Sequence, residues 1–307
     1  MLGVLHGFAV ILGVIGAGYL TGVAGIVKGD QRRVLNNVAF YVATPALLFD
    51  VLQRSDPKVI LSPVILVTTV AAVLVAGLYI AASRLWFRQD LAATTLGATS
   101  SGYVNSNNLG LPVAVYILGD AAYVAPLILM QVVVYTPLIL AILETTRGNR
   151  KGAAVALGRA ASNPIILASV LGFVCAMLQL HVPVILLSPI QMLGTAAVPM
   201  VLLSFGISLR GQRALQPGSG RKAVLVASTI KVLVMPPLTW AICLAVGMNP
   251  HETFVATTIA ALPTAQNVYN YAATYRRAET QVRDTVFITT FASLPMIALI
   301  AWLLSVP

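Results

Sequence analysis

The chain has 307 residues, 58% of them hydrophobic and only 9% charged, with a mean hydropathy of +0.90. A soluble domain carries about 25% charged residues, so there is too little charge here to clothe a water-facing surface. Composition excludes an ordinary soluble protein, and in a membrane protein the formal net charge of +10 is first a signal of topology.

A bilayer core takes about 20 largely apolar residues per helix. On that basis the sequence predicts an all-α polytopic membrane protein with ten transmembrane helices, near 4–26, 34–53, 60–83, 94–118, 122–144, 163–180, 184–208, 223–247, 252–275 and 285–305. The opening "MLGVLHGFAVILGVIGAGYLTG" lacks a basic leader and runs too long for a cleaved signal peptide, so it reads as the first span. Its glycines imitate a nucleotide loop, but no strand precedes them. Gly18 and Gly22 read better as small-residue helix packing.

The second span carries Pro45 and, five residues on, Asp50. Asp50 is a candidate for a coupling proton or cation, or a partner for Arg54 at i+4; the pair is the simpler reading. In the fourth span Ser101, Asn105, Asn108 and Pro112 fall at i, i+4, i+7 and i+11 and share one helical face, with Asn107 beside them. Glu144 closes the fifth span next to Arg147, which suits an interfacial pair. Lys231 lies about eight residues into the eighth span. A cation there is costly and a functional candidate by default, as a partner for an anionic substrate or a proton-coupled switch. Alternatively it snorkels to the interface. The ninth span holds Pro263, Gln266, Asn267 and Asn270.

The loops set the orientation. Lys28, Arg32, Arg33, Arg84, Arg88, Arg147, Arg150, Lys151, Arg159, Arg210, Arg213, Arg221, Lys222, Arg276, Arg277 and Arg283 all fall on one side. Only Arg54 and Lys58 fall on the other, and Lys231 lies within a span. By the positive-inside rule the rich side is cytoplasmic and both termini face out. The localisation expected is a plasma membrane, crossed several times. The basic charge is thereby accounted for, and no nucleic acid is expected as a partner.

A basic linker, 145–162, divides the chain into a first five-helix repeat, 1–144, and a second, 163–307. An odd number of spans per half makes the second repeat inverted. "VATPALLF" resembles "AAVPMVLLSF", aligning Pro45 with Pro199, and "GLPVAVY" resembles "ALPTAQNVY", aligning Pro112 with Pro263. The separations, 154 and 151 residues, nearly agree. Inverted repeats with proline-interrupted helices at matching positions point to the binding site of a secondary transporter. Proline frees backbone groups, and in hydrocarbon these survive only in protein or beside water. Asn105, Asn107, Asn108, Pro112, Pro263, Gln266, Asn267, Asn270 and Lys231 are therefore candidate substrate-binding residues. For the amides taken singly, interhelical hydrogen bonding is an equal explanation.

Ten spans in two halves, "NNVAFYVATPALLF", "NSNNLGLP" and "ALPTAQNVYNYAATY" together resemble the auxin efflux carrier family over essentially the whole chain. That family includes plant PIN proteins and bacterial permeases for malonate, malate and similar acids. The resemblance implies two broken, crossing helices, as in bile-acid symporters and sodium-proton antiporters. It implies scaffold helices about 4–53 and 163–208, and core transport helices about 60–144 and 223–305 that move elevator-fashion. The crossover would lie at Leu111-Pro112 and Leu262-Pro263. A homodimer through the scaffold is also implied. The short central loop lacks the long hydrophilic insertion of plant carriers, which favours the bacterial branch over auxin as substrate.

The function expected is secondary active transport of a small organic anion, a mono- or dicarboxylate such as malonate or malate, coupled to a proton or sodium gradient. The alternatives are an exporter of auxin-like aromatic carboxylates, a non-transporting membrane sensor or receptor with the same fold, and a channel. No catalytic set, Walker loop or metal spacing is present in the sequence; Cys175 and Cys243 lie in separate apolar runs, and no cofactor or enzyme activity is expected.

Overall fold

The computed structural model describes residues 2–27, 29–55, 63–146, 163–210, 215 and 220–304. Residues 147–162 of the predicted linker lie outside that set, as do Lys28, Lys58 and Arg213. The described residues are helical almost throughout, with no strand and one isolated β-bridge. Among the described residues six helices are long and apolar enough to cross a membrane: α2 (Gln31–Arg54), α3 (Pro63–Phe87), α6 (Ala121–Thr145), α8 (Val184–Ser208), α9 (Arg221–Ala245) and α12 (Glu279–Leu304). Helix α1 (Leu2–Val23) and helix α7 (Pro164–Met177) add shorter apolar stretches. The remaining helices come as two end-to-end pairs: α4 (Leu91–Gly102) with α5 (106–118), and α10 (Pro250–Ala260) with α11 (Gln266–Tyr275). At 1.5 Å per residue, no half of such a pair spans a bilayer core by itself.

Proline alone does not make these breaks. Wide, π-type turns at Ala39–Ala43, Ser106–Gly110, Gln131–Tyr135 and Ile230–Val234 each end two residues before a proline: Pro45, Pro112, Pro137 and Pro236. In each, the residue preceding the proline donates its N–H five residues back, as Leu111 does to the Ser106 carbonyl. Proline has no N–H and its ring crowds the carbonyl four residues earlier. Widening the turn absorbs both defects and lets the helix continue. Pro45 and Pro112 thus sit inside continuing helices rather than at interruptions, whereas Pro199 follows a one-residue irregularity at Ala196.

The helices pack in two groups. In the first, α1 lies along α8 so closely that a Cβ added at Gly18 or Gly206 would strike the backbone of Leu203 or Ile15. Gly22 continues that contact one turn on, against Ile207. Helix α2 packs on α7 and α8; a Cβ at Gly172 would lie 2.7 Å from the Phe49 carbonyl oxygen. The second group joins α3 to α4, α9 and α10, and α12 to α9, α10 and α11. Helix α6 touches both groups, and α5 leans on α1, where Gly7 abuts the Tyr116 backbone. Large apolar side chains such as Val184 (75% exposed) and Ile185 (82%) point outward from α8. In water such a surface would aggregate; in a bilayer it is the lipid-facing side of a multi-pass protein.

Buried polar groups are concentrated in the second group. Tyr79 is fully buried, accepts from Gln281 Nε2 at 2.8 Å and donates to Gln89 Oε1 at 2.9 Å, tying α3, the α3–α4 loop and α12 together. Each such bond is modest in a membrane protein, about 0.6 kcal/mol on average, but together they fix the helices around the two breaks.

Candidate functional site

The two interrupted helices cross where they break. Helix α4 stops at Gly102, Tyr103 and Val104 run extended, and α5 begins at Ser106 after Asn105. Helix α10 stops at Ala260, and α11 begins at Gln266. The extended pieces run antiparallel: Val104 bridges Thr264, the Asn105 N–H donates to the Pro263 carbonyl at 2.8 Å, and the Ala265 N–H donates to the Tyr103 carbonyl at 3.0 Å. Each break satisfies backbone groups that the other leaves open, as a low-dielectric setting requires. Buried side chains complete the accounting. Gln131 Nε2 donates to the Val104 carbonyl at 3.0 Å, and its Oε1 accepts from Ser106 Oγ. The Thr264 hydroxyl donates to the Ser100 carbonyl at 2.6 Å.

This geometry corrects the expected crossover in the first half. It lies at Tyr103 to Asn105, and Pro112 is buried in α5 beyond it. The anticipated face of Ser101, Asn105, Asn108 and Pro112 does not exist, because the helix ends between the first and second of them. Asn105 is instead the N-cap of α5: its Oδ1 accepts from the Asn108 N–H at 3.1 Å. Asparagine is favoured at that position because its side chain replaces a missing helical acceptor. In the second half the break does include Pro263, in an extended segment where it needs no N–H.

The predicted amides line two spaces, and Asn108 and Asn267 border both. Asn108, Gln266, Asn267 and Asn270 line a cavity of about 770 Å³. Asn108 Nδ2 donates to Gln266 Oε1 at 3.2 Å, joining the first turns of α5 and α11. Asn105 and Asn107 line only the second space, of about 20 Å³. There Asn107 Nδ2 donates to Asn108 Oδ1 at 3.0 Å, while Asn105 Nδ2 and Asn107 Oδ1 have no protein partner among the described residues.

Lys231 and Asp50 lie elsewhere. Lys231 lines neither space; it is fully buried, with Nζ donating to the Ala260 carbonyl at 2.8 Å and to Met235 Sδ at 3.0 Å. It neither snorkels nor reaches the cavity, but caps the electronegative C-terminus of α10. Asp50 is buried between Arg54, four residues on, and Gln191 of α8, whose Nε2 donates to its Oδ1 at 3.0 Å. Glu144, expected beside Arg147, accepts from the Tyr275 hydroxyl at 2.6 Å; Arg147 lies outside the described residues.

The large cavity lies between the two helix groups. Helix α2 contributes Arg32, Arg33, Asn36, Asn37 and Phe40, successive turns of one face. Helix α11 contributes Gln266, Asn267, Asn270 and Thr274, and α12 contributes Arg283, Val286, Phe287 and Thr290. Phe205 and Ser208 of α8, with Leu209 just after it, close it. Three arginines and several amides face this space, and among the described residues no carboxylate lines it. The first turn of α11 also points there without a side-chain cap from Ala265. Donors, guanidinium charge and a helix N-terminus together suit an anion. Sequence reading missed Asn36, Asn37 and the binding potential of the arginines. The signal was "QRRVLNNVAF", with charged, amide and aromatic residues a turn apart, but the arginines are equally explained by topology.

Residues 4–301 match the family model described as "Membrane transport protein". The chain is similar, at 28% identity over 301 residues, to a Rhizobium meliloti protein named "Putative malonate transporter", covering 95% of this chain and 93% of that one. It is also 22% identical over 302 residues to a Methanocaldococcus jannaschii protein named as an uncharacterized transporter, covering 96% and 97% of the two chains.

Proposed function

From the premise that the chain belongs to the membrane transport protein family, we propose that it is a secondary active transporter of small organic anions working by elevator-type alternating access. The observation that carries this reading is the 770 Å³ cavity, lined by arginines and amides and ending at the crossing of two half-helices. The relative named for malonate supports a small carboxylate as the substrate class.

In this reading the six long helices, α1, α7 and the two broken pairs form ten spans in a 5+5 inverted repeat, with both termini outside and the arginine-lined mouth in the cytoplasm of a bacterial cell. Helices α1, α2, α7 and α8 are the scaffold, through which two copies pair. The second group, with the crossing at its centre, is the transport body. The two sides of the crossing support an inward-facing state. Helix α5 is packed on α1 at Gly7, whereas α11 faces open space across from α2 and α8. A shift of the transport body would close the one side and open the other. Asn108, Gln266, Asn267 and Asn270 form the substrate floor, while Asn105, Asn107, Pro263 and Lys231 hold the crossing in shape.

The test is uptake or efflux of labelled malonate, malate and indole acetate in proteoliposomes under proton, sodium and potential gradients. Saturable flux of at least one anion, driven by one of those gradients, is expected. Binding that saturates without flux would turn the reading to a receptor, and steady current at fixed voltage to a channel.

A further inference from the structure

The cavity holds cations on both helix groups, and only one of those sets travels with the amide floor. Arg32 and Arg33 lie in the first turns of α2, which packs on α8. Arg283 lies on α12, which packs on α11, the helix that carries Gln266, Asn267 and Asn270. Arg283 is also held. Its Nε and Nη2 donate to Asp284 Oδ1 at 3.0 and 2.9 Å, and the Asp284 side chain is 1% exposed. Asp284 is itself fixed, its Oδ2 accepting from the Leu215 N–H at 2.8 Å. The guanidinium keeps a further edge, Nη1, that donates to no protein acceptor among the described residues. A guanidinium presents five N–H donors in a fixed plane, so anchoring one side by a buried carboxylate orients the rest. The side chain is 36% exposed and borders the cavity.

We infer that Arg283 is the residue that selects for a second anionic group on the substrate, making this a site for dicarboxylates, with Asp284 as its positioning residue. This rests on the carrier reading above. A substrate moved by one helix group must be held by residues of that group throughout. The amides and the α11 N-terminus take one carboxylate, and Arg283, on the same group, takes the other. Arg32 and Arg33 stay with α2 and serve to draw anions to the mouth, a long-range effect that salt screens. The two roles separate experimentally: a carried contact changes affinity and selectivity, and a steering charge changes rate at low salt.

The experiment is uptake of labelled malonate, with two carboxylates, and of labelled acetate, with one, by the full chain in proteoliposomes. Wild type is compared with Arg283→Gln, Arg283→Lys, Asp284→Asn and the double change of Arg32→Gln and Arg33→Gln. Arg283→Gln is expected to raise KM for malonate about tenfold or more, as loss of a charged contact does, with little change for acetate. Asp284→Asn should move KM for malonate the same way by less, with Vmax nearly kept. The double change should lower uptake mainly at low ionic strength and leave the malonate-to-acetate ratio unchanged. Should Arg283→Gln fail to fold, Arg283→Lys carries the comparison, since it keeps the charge and loses the planar fork. Equal factors for malonate and acetate in the Arg283 variants, or a selectivity change that follows Arg32 and Arg33 instead, overturn the assignment while leaving the carrier intact. A wild type that moves neither anion under any gradient overturns the carrier reading and this one with it.

Discussion

Lys231 Nζ donates to the carbonyl of Ala260 at 2.8 Å, at the last residue of α10 before the chain crosses its counterpart. The amine lies opposite the negative end of a half-helix, 29 residues away in sequence. Its place in the middle of a span follows from the break, which leaves a carbonyl with no helical partner in a medium without water.

Replacing that lysine tests the capping role. Lys231→Met leaves the Ala260 carbonyl unpaired, a loss of about 1–3 kcal/mol by the usual cost of an orphaned buried acceptor. The expected result is a lower melting temperature in detergent, with the malonate-to-acetate preference retained. A variant of unchanged stability that loses anion preference would put Lys231 back in contact with substrate.

The amides at the crossing divide into floor and framework, so their alanine variants should differ. Asn270→Ala and Gln266→Ala are expected to abolish or sharply reduce the thermal shift produced by carboxylates, with small effects on the unliganded protein. Asn105→Ala removes the N-cap of α5 and should cost about 1 kcal/mol of stability, with the ligand shift retained in direction. Equal ligand shifts in all three variants would move the site away from α11.

The α1–α8 contact has a built-in control. Gly206 and Gly18 admit no Cβ without moving backbone, whereas a Cβ at Gly13 meets nothing within 4 Å. Gly206→Leu should destabilise by about 1–3 kcal/mol, the range for overpacking, and Gly13→Leu should be close to neutral. Thermal denaturation followed by size-exclusion chromatography reads both, and equal effects would refute the close packing of α1 on α8.

Asp50 joins α2 to α8 through Gln191, in the group assigned as scaffold. Asp50→Asn and Gln191→Leu are expected to lower thermal stability together and leave the ion dependence of uptake unchanged. An Asp50→Asn protein that still exchanges substrate but ignores the driving gradient would identify Asp50 as the coupling group.

Much of the architecture was legible because hydropathy is a property of each segment by itself. The long apolar helices follow from runs of about 20 residues that a bilayer core requires. Gly18 and Gly22 are readable as a packing face because small residues four apart share one side of a helix. The Asp50–Arg54 pair is local for the same reason, and the structure places the two in contact. The position of the first break was not readable from proline, because a wide turn at Ser106–Gly110 carries Pro112 within the helix. Its local sign was Asn105 acting as a cap, which is indistinguishable in sequence from an amide on a continuing helix face.

The amino-acid sequence by itself determined that this protein lives in a membrane, which segments are apolar helices, and that amides cluster at two points inside them. Only the tertiary structure decided that those points meet, through backbone bonds between Asn105 and Pro263 and between Ala265 and Tyr103. It also turned Lys231 toward a helix end and Arg32, Arg33 and Arg283 toward a shared cavity. The physical reason is range. Hydropathy acts residue by residue along the chain, whereas the partner of a freed carbonyl or a buried lysine is chosen by proximity across helices far apart in sequence.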